Sequence, residues 1–260
     1  MITASYALVT GASQGIGAQI ARSLARRGYG VLLVARSDEK LVALTKELIR
    51  EFSVPVHHKT LDLSSDQGGL DVYNWVMENG YAPSILVNNA GYGLWGRFDR
   101  VGIEEQLNMI DLNIKTLTKL THYFIPVLLK QPKSYILNVG SLAAYQAVPT
   151  LAVYAASKAY VLQFSRALRQ EFRRQGLVVS TLNPGPVDTG FGERAGMQAL
   201  SHLMDRYNMD AITVAEQGVA GLLRGKAEII PGFSNALTAN IVRFLPKSWV
   251  ERIAARLYQT

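Results

Sequence analysis

Cysteine is absent from the 260-residue chain. That excludes disulfides, thiolate metal sites and a cysteine nucleophile, and it fits a reducing compartment. No metal site is expected. No apolar run is long enough to span a bilayer. The stretch 134–157 carries no formal charge, but Asn138, Gly140, Ser141, Gln146, Pro149 and Thr150 interrupt it well short of the ~20 apolar residues a spanning helix needs. No basic residue precedes Arg22, so the positively charged start of a secretory signal is missing. A cytoplasmic protein is the expectation. Acids are in the minority, with 20 Asp and Glu against 27 Lys and Arg and a net charge of +7. The basic excess lies in 1–60 and 130–174, where Arg166, Arg169, Arg173 and Arg174 recur at helical spacing and read as a solvated helix face. A distributed excess attracts anionic ligands in general, so no nucleic-acid partner is expected.

With 48% hydrophobic and 18% charged residues the chain is long enough to bury a substantial core. Short apolar runs alternate with amphipathic ones. Strands are expected at Tyr6–Val9, Val31–Ala35, Val56–Thr60, Ile85–Val87, Tyr135–Val139 and Leu177–Leu182, and near Glu228–Ile230. Helices are expected at Gly15–Arg27, Asp38–Phe52, Leu70–Glu78, Glu104–Leu129, Tyr154–Gln175 (ended by Gly176) and Val214–Leu223. Alternation of this kind means right-handed βαβ crossovers and a parallel sheet. The fold class is therefore α/β: a single-domain, Rossmann-like, doubly wound parallel sheet of about seven strands over 1–231. A C-terminal amphipathic extension over 232–260 follows, in two pieces divided by Pro246.

Thr10-Gly11-Ala12-Ser13-Gln14-Gly15-Ile16-Gly17 sits between the first strand and the first helix. Small residues there let the backbone approach a phosphate, and the free N–H groups of the helix start can hold the anion. An ordinary tight turn is the plain alternative. Gly11-Ala12-Ser13-Gln14-Gly15 also spells the nucleophile elbow of an α/β-hydrolase with Ser13 as nucleophile. Only ten residues precede it, however, and of His57, His58, His122 and His202 only His202 follows Asp188. At the end of the second strand, where an acid would select NAD, the chain reads Ala35-Arg36-Ser37. Arg36 suits a 2′-phosphate and Ser37 can add a hydrogen bond, which favours NADP. A simple surface arginine is the alternative, and Asp38 reads as the cap of the next helix.

Tyr154-Ala155-Ala156-Ser157-Lys158 places a phenol and an ammonium four residues apart on one helix face. An ammonium nearby favours the phenolate, which makes an otherwise poor acid–base group usable near neutrality. Ser141 follows the strand Tyr135–Val139, at the carboxyl end where such sheets bind ligands.

With the glycine turn, Asn88-Asn89-Ala90-Gly91, Asn113, Ser141, the Tyr154/Lys158 pair and Pro184-Gly185 in order, the chain resembles the short-chain dehydrogenase/reductase family over about 5–231. The resemblance implies NADP(H)-dependent interconversion of a carbonyl and a secondary alcohol. It implies Tyr154 as the acid/base, Lys158 lowering its pKa and holding the nicotinamide ribose, Ser141 orienting the substrate oxygen, and Asn113 kinking its helix and holding a water in a proton relay. The implied cofactor set is Gly11, Ser13, Gln14, Gly15, Ile16, Gly17, Arg36, Ser37, Asp62, Leu63, Asn89, Ala90, Gly91, Tyr154, Lys158, Pro184, Gly185, Val187 and Thr189. Asp62 would meet the adenine amino group, with a helix cap as its other reading. Gly140 departs from the pattern and is expected to loosen the strand end before Ser141. Tyr145, lacking a lysine four residues on, reads as a substrate-pocket wall.

Residues 190–210, with Phe191, Met197, Leu200, Leu203, Met204, Tyr207 and Met209, read either as a lid over a hydrophobic carbonyl substrate or as plain core packing. Trp95 and Phe191, with Ser141 and Tyr145, are the expected substrate contacts. In the tail, Leu237, Ile241, Phe244 and Leu245, then Trp249, Val250, Ile253 and Leu257, form an apolar stripe beside Arg243, Lys247, Arg252 and Arg256. It is expected to cover a neighbouring subunit or the pocket rather than rest on lipid. A homodimer or homotetramer is expected. Besides the hydrolase, a non-catalytic NADP-binding sensor is the rival function.

Overall fold

The computed structural model describes residues 5–197 and 208–258. Seven strands form one parallel sheet: β1 (Tyr6–Thr10), β2 (Gly30–Ala35), β3 (Val56–Thr60), β4 (Pro83–Asn88), β5 (Ser134–Val139), β6 (Leu177–Leu182) and β7 (Glu228–Ile229). Their order is β3-β2-β1-β4-β5-β6-β7. The chain winds outward from β1 to β3, crosses back to β4, and winds outward the other way. The direction reverses between β1 and β4, where sheets of this class bind ligands.

β2, β4 and β5 are buried along their whole lengths. Covered on both faces, they read as continuous rather than alternating apolar runs. One face carries α1 (Gly15–Arg26), α2 (Asp38–Phe52) and α8 (Ala211–Leu223), through Ile20, Leu24, Leu41, Leu48, Val214 and Leu222. The other carries α3 (Gly68–Glu78), α5 (Leu117–Leu128) and α6 (Ala152–Glu171), through Val72, Val76, Leu120, Phe124 and Leu168. The sheet is doubly wound, as expected from the alternating pattern.

The long helix expected at 104–129 runs from Ile103 to Leu128, but as α4 (Ile103–Ile110), a π-helical stretch (Asp111–Thr116) and α5. α6 stops at Glu171, and Gly176 with φ +77 turns the chain into β6 a few residues later. Asp38 is not the cap of α2. Ser37 occupies that position without a side-chain cap bond, and Asp38 instead accepts from Thr60 Oγ1 at 2.5 Å. The arginines of α6 are not all a solvated face either. Arg169 donates to the carbonyls of Val179 and Gly225, and Arg166 pairs with Glu228, so both tie α6 to the β6–β7 edge.

Two further helices, α9 (Phe233–Val242) and α10 (Lys247–Tyr258), fold back on the body. Arg243 donates to Glu228 at 2.8 Å, and the Tyr258 carbonyl accepts from Trp95 Nε1 and Thr150 Oγ1.

The switch point is fastened by one hydroxyl. Thr10 Oγ1 donates to the Val87 carbonyl and accepts from the N–H groups of Asn89 and Ala90, all at about 3 Å and almost fully buried. Thr10→Val keeps the shape but strands two backbone donors. Denaturant unfolding is expected to show a loss of about 2–4 kcal/mol.

Candidate active site

A cavity of about 930 Å³ opens at the carboxyl ends of the central strands. Its floor is the start of α1. Gly11 and Gly15 have φ +63 and +57, and a Cβ on Gly17 would collide with the Gly11 carbonyl and Asn89. The turn is therefore closed to other side chains. No acid lies in the first turn of α1, and Gln14 at its N-cap makes no side-chain cap bond. The N–H groups of Gly15, Ile16 and Gly17 border the cavity without a side-chain cap, which suits a pyrophosphate. Ser13 borders the cavity as well, and among the described residues no histidine lines it, so the elbow reading finds no base there. His58 is engaged by Thr45, and His57 stacks on Tyr81. His202 lies outside the described residues.

The ends of β2 and β3 bring Arg36, Ser37, Asp62 and Leu63 to the cavity, which Ala90 and Gly91 also line. Asp62 Oδ1 accepts from Ser64 N–H and Ser64 Oγ. The Ser64 backbone N–H, more than any other group, holds its carboxyl below the usual range, so it is an acceptor at neutral pH. Asn89, expected along a ribose, spends its side-chain amide on the carbonyls of Thr10 and Gly11, bracing the glycine turn. Arg194, on α7 (Phe191–Arg194), was not anticipated. It lines the same cavity, and its guanidinium is destabilised first by burial and then by the like charge of Arg36. Two cations converging on one cavity suit an anion between them. A lone arginine in an apolar lid segment leaves no periodic signal in the sequence.

At the other end the first turns of α6 carry Tyr154 and Lys158, both buried. Lys158 Nζ donates to the Val139 carbonyl at 2.9 Å and stands 5.8 Å from the centre of the Tyr154 ring. Burial pushes the Tyr154 phenol up to about 12, with the Ser141 hydroxyl pulling the other way, so the lowering expected from Lys158 is not found. Ser141 Oγ accepts from Ala143 N–H, capping the short turn Leu142–Tyr145 and leaving its own proton to donate. Asn113 sits in the π-helical stretch. Its amide donates to the Tyr92 carbonyl and Ser157 Oγ, and its Oδ1 accepts from Tyr92 N–H. Both amide protons of Asn113 are engaged in bracing. A Cβ on Gly91 would press on Asn113 Oδ1 and approach Lys158 Nζ, which explains the glycine.

Several expectations are corrected. Gly140 does not loosen β5: its N–H bonds the Leu182 carbonyl at 2.8 Å, and a Cβ there would collide with Asn183. Tyr145 does border the cavity, but its hydroxyl turns to Glu228 and accepts from Asn183. Trp95 is not in the cavity lining. It packs in the small core beside Tyr154, and Leu94 faces the cavity in its place. Phe191 lines the cavity and packs 5.6 Å from the Tyr154 ring, and Met197 lines it too. Met209 instead bonds Asn235 through sulfur. Leu200, Leu203, Met204 and Tyr207 lie outside the described residues. Pro184, Gly185, Val187 and Thr189 border the cavity as a group. Tyr92 and Tyr258 are unanticipated lining residues. Tyr258 was missed because Val250, Ala254 and Tyr258, spaced by four, form the inward face of α10, and the expected stripe contains only Val250 of these three.

A family model described as short chain dehydrogenase matches residues 5–199. An uncharacterized oxidoreductase of Staphylococcus epidermidis is 33% identical over 199 residues, covering 74% of this chain and 85% of that protein. The very-long-chain 3-oxoacyl-CoA reductase-B of Danio rerio is 35% identical over 191 residues, 71% of this chain but only 60% of that protein's length. Among solved structures, a short-chain dehydrogenase from Sphingobium yanoikuyae in complex with NADPH superposes with a TM-score of 0.83 at 29% identity, covering 92% of each chain.

Lys158 also sets a cost on the fold. Burial lowers its pKa from 10.5 to about 8. The unfolded chain holds the proton up to 10.5, so the cost of the buried charge is full below about pH 8 and fades as pH rises from there to 10.5. Lys158→Met is expected to raise the unfolding free energy at neutral pH by up to about 3 kcal/mol. The advantage over wild type should disappear by about pH 10.5, which paired melts across that range would read.

Proposed function

The chain belongs to the short-chain dehydrogenase/reductase family, and from that premise we propose that it reduces a hydrophobic ketone, or oxidises the matching secondary alcohol, with NADP(H). The observation that carries this reading is the continuity of one cavity from the uncapped start of α1 to the Ser141, Tyr154 and Lys158 side chains. NADP(H), when bound, supplies or accepts the hydride. The α1 N–H groups would hold its pyrophosphate, and Arg36, Ser37 and Arg194 the 2′-phosphate side.

In the reductive direction the substrate oxygen needs a proton and a place to rest. Tyr154, kept a phenol by burial, is a ready proton donor to that oxygen. The Ser141 hydroxyl, with its oxygen tied to Ala143 N–H, donates to the same oxygen and fixes its position. As the proton leaves Tyr154, the Lys158 ammonium stabilises the phenolate. With a pKa of about 8, Lys158 keeps most of its charge at neutral pH and loses it under mildly alkaline conditions. Leu94, Val148, Leu151, Phe191, Met197 and Tyr258 exclude water and favour an apolar substrate. The name of the Danio rerio relative fits an acyl-chain ketone as one member of that class.

The test is turnover of NADPH over a panel of bulky apolar ketones. Tyr154→Phe should cut kcat by about 10²–10⁴ while the protein still binds NADPH. Activity that survives this variant would sink the assignment.

Cofactor choice is tested separately by titrating reduced nicotinamide fluorescence. Arg36→Ala and Arg194→Ala are each expected to weaken NADPH binding about tenfold or more. Arg36→Ala should leave NADH nearly unaffected, and equal losses for both cofactors would refute the 2′-phosphate role.

A further inference from the structure

The two tail helices present an outer face that the rest of the molecule does not explain. On α9, Phe233, Leu237 and Ile241 recur every fourth residue, and on α10 so do Trp249, Ile253 and Leu257, all exposed. Phe244, 88% exposed, stands in the link between them. Elsewhere among the described residues Ile49, Met77 and Ile212 are exposed singly, and Phe98, Ile103 and Leu107 make a smaller group at and just before α4.

The helices are not displaced from some other packing. Their opposite faces are seated, with Ala239, Val250 and Ala254 buried, Arg243 paired with Glu228, and the Tyr258 carbonyl bonded by Trp95 and Thr150. The apolar stripes therefore face solvent while both helices are anchored.

The surrounding charge decides what suits this face. Arg252 and Arg256 lie one turn beyond Trp249 and Ile253, beside the α10 stripe, and Lys247 starts that helix. None of the three has an ion pair among the described residues, and Glu251 is the one acid between 229 and 258. Two copies meeting through this face about a two-fold axis would bring these cations together with little acid to offset them. An anionic lipid surface meets both demands, with acyl chains for the stripes and phosphates for the cations. Trp and Phe beside Arg and Lys is also the composition of an interfacial helix. Among the described residues no helix is long and apolar enough to cross a membrane. We propose that α9 and α10 form an interfacial docking face that seats the protein on an anionic lipid surface.

The same helices wall the cavity, through Ala239 and Val242 of α9 and Tyr258 of α10, and Leu257 of the α10 stripe borders it as well. On the reading of the cavity given above, an apolar carbonyl compound dissolved in the lipid would enter beside them.

The test needs no turnover, so its failure is separate from any failure of the catalytic reading. The full chain is sedimented with phosphatidylglycerol/phosphatidylcholine vesicles and with pure phosphatidylcholine. Binding should favour the anionic vesicles and fall with salt. Phe244→Ser combined with Trp249→Ser, both surface changes, should lower partitioning about tenfold or more. The circular dichroism and melting of that variant should match wild type. Arg252→Glu with Arg256→Glu should abolish the anionic preference. No binding to anionic vesicles, or binding indifferent to the apolar double variant, overturns the proposal. So does a protein that ignores vesicles and forms a dimer which that variant dissolves.

Discussion

The clamp between the ends of β1 and β4 is the constraint on which the rest of the molecule depends. Thr10 Oγ1 bonds three backbone groups of the β4 end, and Asn89 returns two bonds to the carbonyls of Thr10 and Gly11. The glycine turn is pressed against Asn89 and Ala90 so closely that Gly11 and Gly17 have no room for a side chain. Because strand order reverses here, the clamp also aims the start of α1 into the cavity. A binding floor and a topological requirement of the sheet are met by the same few atoms.

A second chain of buried polar contacts carries that position across to α6, the helix of Tyr154 and Lys158. Asn88 donates to Thr121 and to Asn138, and Asn138 donates to Ser165, whose hydroxyl returns to the Val161 carbonyl of α6. Asn113 adds a parallel link from Tyr92 to Ser157. Buried amides are costly unless satisfied, so their donor bonds fix register where apolar packing alone would tolerate slippage, although the Asn88 Oδ1 itself is buried without a partner. Lys158 is held at the end of these links, in a place that disfavours its charge. The strain on its protonation is the counterpart of a phenol and an ammonium being kept close together out of water.

The tail is tied to this machinery through Glu228. Its carboxylate takes Arg166 from α6, Arg243 from α9 and the Tyr145 hydroxyl from the turn that begins at Ser141. Burial first, and then Glu228, push the Tyr145 phenol up, so it stays a neutral donor. One side chain thus links the turn that begins at Ser141 to the helices that wall the cavity and bear the apolar outer face.

Much of this was legible in the sequence. Hydrophobic period and glycine placement are local properties, and they sufficed for the seven parallel strands, the flanking helices, the turn before α1 and the spacing of Tyr154 and Lys158. Resemblance then singled out Asn113 and Ser141, which lie far apart in the chain. What failed depends on neighbours distant in sequence. Gly140 is glycine because Asn183 fills its space, Trp95 packs into the small core with Tyr154 and Ala195, and Arg194 has meaning only where Arg36 faces it. The tail shows the division plainly. Its amphipathic period is written in residues 233–258, but which side of α10 turns inward was decided by where Val250, Ala254 and Tyr258 meet the body. A helical period determines which residues share a face, and only packing against the rest of the chain determines which face is buried.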